Sequence, residues 1–195
     1  MSAQAPRVVL ASTSRYRAEL LRRLLFDFEC VAPDADETPL PDEAPAERAV
    51  RLAEAKARTV AGTRAGSLVI GSDQVAELEG RVLRKPGGLA AAREQLRACS
   101  GREVRFHTAV CVIDTRGESH CAEDLTRARF RPLTENEIQR YLEREQPFDC
   151  AGSFKAEALG IALFDKIESE DPTALIGLPL IALARLLRET GLRVP

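Results

Sequence analysis

Hydroxyl and guanidinium side chains gather at the start of a predicted helix near the N-terminus. An apolar, β-type run over Val8–Ala11 is followed by Ser12 and Ser14, and then by Arg15 and Arg17. The exposed N–H groups of a helix N-terminus attract anions, and guanidinium groups strengthen the binding of phosphate oxygens. The segment therefore predicts a site for a multiply charged anion, with phosphate the natural candidate. The alternative is an ordinary Ser/Thr helix cap followed by a solvated helix face.

Carboxylates occur at two further places in the chain. An apolar strand is predicted to end just before Asp73, and the loop over 33–45 contains Asp36 and Glu37. A carboxylate at the carboxyl end of a buried strand often binds a metal or activates water, and Mg²⁺ favours one or two carboxylates together with substrate phosphates. The alternatives are a turn aspartate that bonds to its own backbone and a solvated acidic loop.

Two lysines complete the set of candidate residues. Lys56 falls inside a predicted helix, and Lys85 lies in a loop before a proline. Each lysine alone says little, because most lysines are solvated. Together with the anion site and the carboxylates, however, they suit the hydrolysis of a nucleoside triphosphate.

These side chains must be positioned by an alternation of helices and strands. Several predicted strand pairs are hairpins, so we expect a mixed sheet with flanking helices. The hydrophobic spacing, the turn residues and the Thr134–Glu137 capping box predict individual elements. The predicted helices cover 14–25, 45–61, 89–99, 134–145 and 179–190, and the predicted strands cover 8–11, 26–32, 67–70, 104–114 and 118–131. A hairpin that turns at Glu79-Gly80 is predicted over 75–83, and short strands and turns are predicted over 151–167.

Composition narrows the class of protein. The chain has 195 residues and a formal net charge of −2, which lacks the broad basic surface of a nucleic-acid-binding protein. No signal peptide and no membrane-spanning apolar run is evident, so a cytoplasmic protein without a membrane partner is expected. The five cysteines contain no CxxC pair, which predicts reduced thiols rather than a zinc site or disulfides.

Four motifs in the same order make the chain similar to the Maf-like nucleoside triphosphate pyrophosphatases, and the similarity spans nearly the whole sequence. The first motif extends from Leu10 to Leu21 and the second is Asp36-Glu37. The third is Ile70–Val75 with Lys85-Pro86 shortly after, and the fourth is Ala151–Glu157 followed by Gly177-Leu178-Pro179.

The resemblance implies one Maf-like domain over 1–195, with a mixed sheet and two lobes around a cleft as in the inosine triphosphatases. It also implies cleavage of a nucleoside triphosphate to a monophosphate and pyrophosphate with Mg²⁺ or Mn²⁺, in a homodimer. Asp73 matches the catalytic base and also a metal ligand, and Glu37 matches the acidic residue on the metal side. The positions that match phosphate contacts are Ser12, Arg17, Lys56 and Lys85.

Three further positions match those that vary with the base of the substrate. Tyr16, Gln74 and Glu157 resemble the subgroup that acts on 7-methyl-GTP, whereas the dTTP/UTP subgroup has Arg, Thr and Gln there. An aromatic ring can stack on the cationic methylated guanine, and a carboxylate can accept hydrogen bonds from guanine N1–H and the exocyclic amine. The resemblance therefore predicts 7-methyl-GTP as the substrate.

The chain departs from the family at two positions. Arg15 stands where the family usually has proline, and Tyr16 stands where the 7-methyl-GTP subgroup more often has tryptophan. A ligand contact by Lys155 is left open, as are two alternative functions. These are the same reaction on dTTP, UTP or CTP, and a non-catalytic nucleotide-binding regulator of cell division.

Overall fold

The computed structural model describes residues 6–25 and 27–194, which form seven strands and five α-helices. In chain order the elements are β1 (Val8–Leu10), α1 (Arg15–Leu21), β2 (Glu29–Cys30), α2 (Pro45–Ala61), β3 (Leu68–Leu78), β4 (Arg81–Leu83), α3 (Leu89–Cys99), β5 (Glu103–Ile113), β6 (Ser119–Phe130), α4 (Glu135–Glu145), β7 (Phe164–Glu168) and α5 (Leu180–Glu189). Short 3₁₀ helices cover Ala151–Ser153, Leu159–Leu163 and Ala174–Ile176.

The strands form a mixed sheet, as predicted. Its order is β2-β1-β3-β5-β6-β7, with β4 paired to β3. β1 is parallel to both β2 and β3, whereas the pairs β3–β4 and β6–β7 are antiparallel. Parallel strands need crossover connections, which accounts for the helices between β1, β2 and β3, whereas tight turns join the hairpins β3–β4 and β5–β6. Helix α4 and two 3₁₀ helices lie between β6 and β7.

The chain divides into two compact units. The first contains Met1–Gln74, Thr108–Asp124 and Asp171–Pro195, and its core packs β1 and the start of β3 against the apolar faces of α1 and α5. The second contains Val75–His107 and Leu125–Glu170. Its core includes four phenylalanine rings in edge-to-face contact, which belong to Phe106, Phe130, Phe154 and Phe164.

Most predicted elements are confirmed, including α2 from its N-terminal Pro45 to Ala61 and the β5–β6 hairpin. The predicted capping box is also present, because the Thr134 hydroxyl accepts the Glu137 N–H and Glu137 in turn accepts the Thr134 N–H. In the described part of the chain, no helix is long and apolar enough to cross a membrane.

Four predictions about the elements are wrong in bounds or type. α1 ends at Leu21 rather than Leu25, because the Arg23 and Leu24 N–H groups bond three residues back and tighten the chain into turns. The strand predicted to stop at Ile70 continues through Asp73 to Leu78. The 151–167 segment holds 3₁₀ helices and a single strand. β2 is shorter than the predicted 26–32, and Phe26 lies outside the described residues.

The prediction of reduced cysteines is wrong for one pair. Cys111 on β5 and Cys121 on β6 form a disulfide, with their Cα atoms 4.1 Å apart. The two cysteines are equally distant in sequence from Arg116 in the turn, so the antiparallel pairing places them opposite each other. Cys30, Cys99 and Cys150 carry free thiols.

Candidate functional site

A glycine brings helix α2 unusually close to strand β3. A Cβ atom placed on Gly71 would lie 2.2 Å from the Ala53 carbonyl oxygen and 2.7 Å from the Ala57 nitrogen. Real Cβ atoms do not approach backbone atoms so closely, so only glycine permits this packing. The close approach sets the side chains on this face of α2 directly against β3, and Lys56 is one of them.

The ammonium group of Lys56 joins two of the predicted carboxylates. Its Nζ lies 2.6 Å from Asp73 Oδ1 and 2.7 Å from Glu37 Oε1. The Lys56 and Asp73 side chains are only 10% and 11% exposed, whereas Glu37 is 59% exposed. Asp73 is therefore held inside the protein beside a fixed positive charge, while the Glu37 carboxylate can reach a ligand from solvent.

The loop that carries Glu37 is fastened to α2 by two arginines that the sequence did not single out. Arg48 Nη2 donates to the Glu37 carbonyl oxygen at 3.2 Å, and Arg51 Nη2 donates to the Thr38 carbonyl oxygen at 3.2 Å. Arg51 also forms an ion pair with Glu43. These contacts fix the loop backbone next to Lys56. The spacing of the arginines, three residues apart on a helix beside an acidic loop, is the signal that could have revealed them.

Ser14 is the cap of helix α1. Its hydroxyl accepts the Arg17 N–H at 3.4 Å, and the Ser12 hydroxyl accepts the Ser14 N–H at 3.1 Å. The first hydroxyls of the predicted anion site therefore already organise the turn into the helix. Ser12 is buried in this turn.

Arg17 is turned toward the loop that precedes α5. Its Nε donates to the Gly177 carbonyl oxygen at 2.8 Å, which leaves the two terminal nitrogens for other partners. Gly177 has a φ of 121°, and a Cβ there would lie 3.5 Å from Arg17 Nε. Burial lowers the pKa of Arg17, and the negative charges of Asp73 and Glu37 act in the opposite direction. An arginine guanidinium stays charged in proteins, and that of Arg17 interacts electrostatically with the same two carboxylates as Lys56.

The Gly177 carbonyl also connects this loop to β3. The buried Ser72 hydroxyl lies 2.9 Å from the Gly177 carbonyl oxygen and 2.8 Å from that of Ala109. The loop is itself held at the start of α5, where the Asp171 carboxylate accepts the Ile181 N–H at 2.6 Å. Ser72 and Asp171 position backbone around the site. Ser72 lies within the Ile70–Val75 motif without a predicted role, and no pattern in the sequence distinguished Asp171 from ordinary polar residues.

The three residues predicted to select the base have different surroundings. The Gln74 amide nitrogen is held by the Thr108 hydroxyl at 2.9 Å and by two backbone carbonyls of 174 and 175. Tyr16 is half-buried, and the Arg15 guanidinium lies 4.7 Å from its ring centroid. Glu157 is exposed in the second unit, between two 3₁₀ helices.

Lys85 and Lys155 also belong to the second unit. Lys85 is exposed in the loop between β4 and α3. Lys155 Nζ donates to the Glu145 carbonyl oxygen at 2.7 Å and so satisfies a carbonyl at the end of α4. Lys155 therefore makes a structural contact within the second unit.

A different cluster of metal-ligating side chains occurs in the β5–β6 turn. Among the described residues, Asp114, Glu118 and His120 form the one group of three such side chains with ligand atoms close together. Arg116 Nη2 lies 3.0 Å from Asp114 and 2.8 Å from Glu118, so a cation of the protein already neutralises them. Hydrogen bonds from the Glu118 and Arg116 backbones lower the pKa of Asp114 to about 2 despite the opposing effect of burial. The cluster is therefore a turn held together by ion pairs and hydrogen bonds.

Comparison with known proteins agrees with the motif order. The family model for Maf-like proteins matches residues 7–190. A 7-methyl-GTP pyrophosphatase of Bordetella pertussis is 57% identical over 192 residues, which cover 98% of this chain and 96% of that protein. Proteins of the same name from Xanthomonas oryzae pv. oryzae and Burkholderia pseudomallei are each 58% identical over 190 residues, covering 97% and 95% of this chain and 100% and 88% of their own. This chain therefore belongs to the Maf-like protein family.

Proposed function

We propose that the protein hydrolyses 7-methyl-GTP to 7-methyl-GMP and pyrophosphate and so removes a modified nucleotide. The observation that carries the proposal is the Lys56 ammonium in contact with both Asp73 and Glu37, with the Arg17 guanidinium interacting electrostatically with the same carboxylates. The names of relatives that are 57–58% identical over nearly their whole length support the choice of substrate.

Asp73 acts as the general base. Lys56 engages its Oδ1, so Oδ2 is available to orient a water molecule and take its proton. The water oxygen forms a bond to phosphorus, the bridging P–O bond breaks, and its electron pair leaves with pyrophosphate. Lys56 and Arg17 supply positive charge against the oxygens that become more negative in this step. Ser12 and Lys85 contact the phosphates.

A divalent cation, Mg²⁺ or Mn²⁺, fits the residues present. Asp73 and Glu37 would hold it, because both carboxylates lie at the same end of Lys56 and Mg²⁺ favours one or two carboxylates together with phosphate oxygens. When bound, the cation supplies Lewis acidity that makes phosphorus more electrophilic.

We assign the selection of the base to Tyr16, Gln74 and Glu157. The Tyr16 ring stacks on the cationic methylated guanine, and Glu157 accepts hydrogen bonds from its Watson–Crick edge. Because the Gln74 amide nitrogen is already held by three protein oxygens, Gln74 acts through its carbonyl oxygen or by supporting the neighbouring loop. A pyrimidine would leave the Glu157 carboxylate without its partners.

The test is a panel of nucleotides assayed for pyrophosphate release with Mg²⁺ and with Mn²⁺. We expect the highest kcat/KM for 7-methyl-GTP, with GTP as the matched unmethylated control. A preference for dTTP, UTP or CTP would overturn the substrate. Binding without hydrolysis of any triphosphate would favour a nucleotide-binding regulator instead.

We further propose that the chain works as one functional domain, in the cytoplasm and as a homodimer. A single family model extending over residues 7–190 supports the first point. The family resemblance supports the cytoplasmic location and the homodimer. Sedimentation of the purified protein tests the dimer, and a monomer at micromolar concentration would contradict it.

A further inference from the structure

Arg15 and Tyr16 form a local pair at the start of α1. The Arg15 guanidinium carbon lies 4.7 Å from the Tyr16 ring centroid, and Arg15 Nη2 donates to the Tyr16 hydroxyl at 2.7 Å. A cation at this distance interacts favourably with the negative face of an aromatic ring. The ring proposed to stack on the substrate base therefore already has a positively charged neighbour within the protein.

The two arginines of this turn differ in what they contact. Arg17 bonds to the Gly177 carbonyl and is coupled electrostatically to Asp73 and Glu37. Arg15 is exposed and engages the Tyr16 ring and hydroxyl. The contacts thus connect Arg17 with the phosphate and metal chemistry, and Arg15 with the residue that stacks on the base.

A positive charge beside the ring affects two guanine bases differently. N7-methylated guanine is a cation, whereas guanine is neutral. Arg15 repels only the cationic base. Its own interaction with the Tyr16 ring also weakens the interaction that the ring can form with a second cation. A base stacked on the opposite face of the ring would lie about 8 Å from the guanidinium, a distance at which unit charges still repel at low ionic strength.

We propose that Arg15 is a specificity-determining residue that weakens the preference of the site for the methylated, cationic base over unmethylated guanine. This inference rests on the proposed function, in which Tyr16 stacks on the base. Removing the charge of Arg15 sharpens the selection for the methylated nucleotide, and retaining it as lysine leaves the selection unchanged.

The experiment measures binding rather than turnover. The affinities of the wild-type protein for 7-methyl-GMP and GMP are compared by calorimetry at mildly acidic pH, where the methylated base keeps its positive charge. The variants are Arg15→Gln, which removes the charge, and Arg15→Lys, which keeps it. Arg22→Gln is the matched control, because Arg22 also lies over an aromatic ring, that of Phe28, at the other end of α1.

We expect the ratio of the two dissociation constants to shift toward 7-methyl-GMP by roughly 3- to 10-fold in Arg15→Gln. Arg15→Lys and Arg22→Gln should stay within about twofold of wild type. Added salt should shrink the difference between wild type and Arg15→Gln, because it screens an exposed charge.

The outcomes separate this inference from the proposed function. An unchanged ratio in Arg15→Gln, or an equal loss of affinity for both nucleotides, overturns the inference; the second result would make Arg15 a phosphate contact. If the ratio shifts while the wild-type enzyme cleaves no 7-methyl-GTP, the inference stands and the proposed activity fails. If the wild-type protein binds neither nucleotide, both are wrong.

Discussion

Lys56 makes the contacts that join the candidate site. Its ammonium neutralises the carboxylate of Asp73 inside the protein and reaches the exposed carboxylate of Glu37. A buried ion pair contributes little net stability when intact, but removing one partner leaves an uncompensated charge. A substitution at Lys56 can therefore lower both the catalytic rate and the stability of the fold, and the two effects need separate measurements.

Asp73→Asn tests the catalytic base directly. Asparagine keeps the size and hydrogen-bonding atoms of aspartate but cannot take a proton from water, so we expect kcat to fall by roughly 10²- to 10⁴-fold. Pyrophosphate release measures the rate, and circular dichroism confirms that the variant is folded. Asp165→Asn, which changes an exposed carboxylate on β7, is the control. Turnover near that of wild type would show that Asp73 is not the base.

Lys56→Met tests the ion pair as a source of stability. The variant leaves Asp73 buried without its cation, and we expect the free energy of unfolding to drop by about 3 kcal/mol. Combining it with Asp73→Asn should recover part of the loss, as urea denaturation of both single variants and the double variant would show. Lys166→Met is the control, because its partner Glu168 and Lys166 itself are exposed. Additive losses in the double variant would be inconsistent with a stabilising contact between the two residues.

At the scale of elements, the close approach of α2 and β3 sets the position of Lys56. Alanine at 71 would need to displace the helix backbone, because its Cβ would overlap the Ala53 carbonyl. For Gly71→Ala we expect a loss of about 3 kcal/mol in the free energy of unfolding, together with a lower kcat as Lys56 moves from Asp73. Urea denaturation and pyrophosphate release provide the two measurements.

Gly62→Ala is the matched control for Gly71→Ala. Gly62 follows the same helix, has ordinary helical dihedral angles, and leaves at least 3.6 Å around an added Cβ. We expect it to change stability by less than about 1 kcal/mol. If the two variants were equally stable, the packing of α2 on β3 would not depend on the missing side chain at 71.

The capping box of α4 predicts a specific dependence of stability on pH. The Thr134 N–H, the Thr134 hydroxyl and the Arg131 guanidinium lower the pKa of Glu137 to about 2. Because this folded-state pKa is below the unfolded value, the ionised carboxylate stabilises the fold above the ordinary pKa of glutamate. That contribution disappears as the pH falls from there toward 2.

Thermal unfolding of Glu137→Gln at several pH values measures this contribution. We expect the variant to have a lower Tm than wild type at neutral pH, and the difference to vanish as the pH approaches 2. Glu143→Gln, on the exposed surface of the same helix, is the control. A Tm difference that stayed constant across the whole range would exclude ionisation of Glu137 as its cause.

At the scale of the whole molecule, the described residues contain one covalent cross-link. The Cys111–Cys121 disulfide restricts the unfolded chain by closing a short loop, which is worth about 2–3 kcal/mol. We expect Cys121→Ser to lower the free energy of unfolding by that amount. A reductant should destabilise the wild-type protein but leave the variant unchanged in urea denaturation.

Cys30→Ser is the control for the disulfide, because the Cys30 thiol is free and exposed. Titration of thiols in the unfolded, unreduced protein should give three, as five cysteines less one bonded pair requires. A titre of five would show that the pair is reduced in solution.

The local sequence was enough to predict most of the elements. Proline at the first position of α2, the Thr134–Glu137 box and the Arg116-Gly117 turn mark boundaries by their own backbone preferences, which do not depend on distant residues. The order of the four motifs was likewise sufficient to indicate the family, which the match over residues 7–190 confirms. The roles of the individual site residues stay predictions.

The tertiary structure alone decided how the site residues meet. Nothing in the local pattern shows that Asp73 lies inside a long strand, that Lys56 reaches it from α2, or that Arg17 turns to Gly177. These contacts join residues far apart in the chain, and the contact of Lys56 with Asp73 depends on Gly71, which lets α2 approach β3. The sequence by itself determined the elements and the family, because both follow from local preferences and motif order. Tertiary packing determined the pairing of charges, because charges pair only where the folded backbone brings them within a few ångströms.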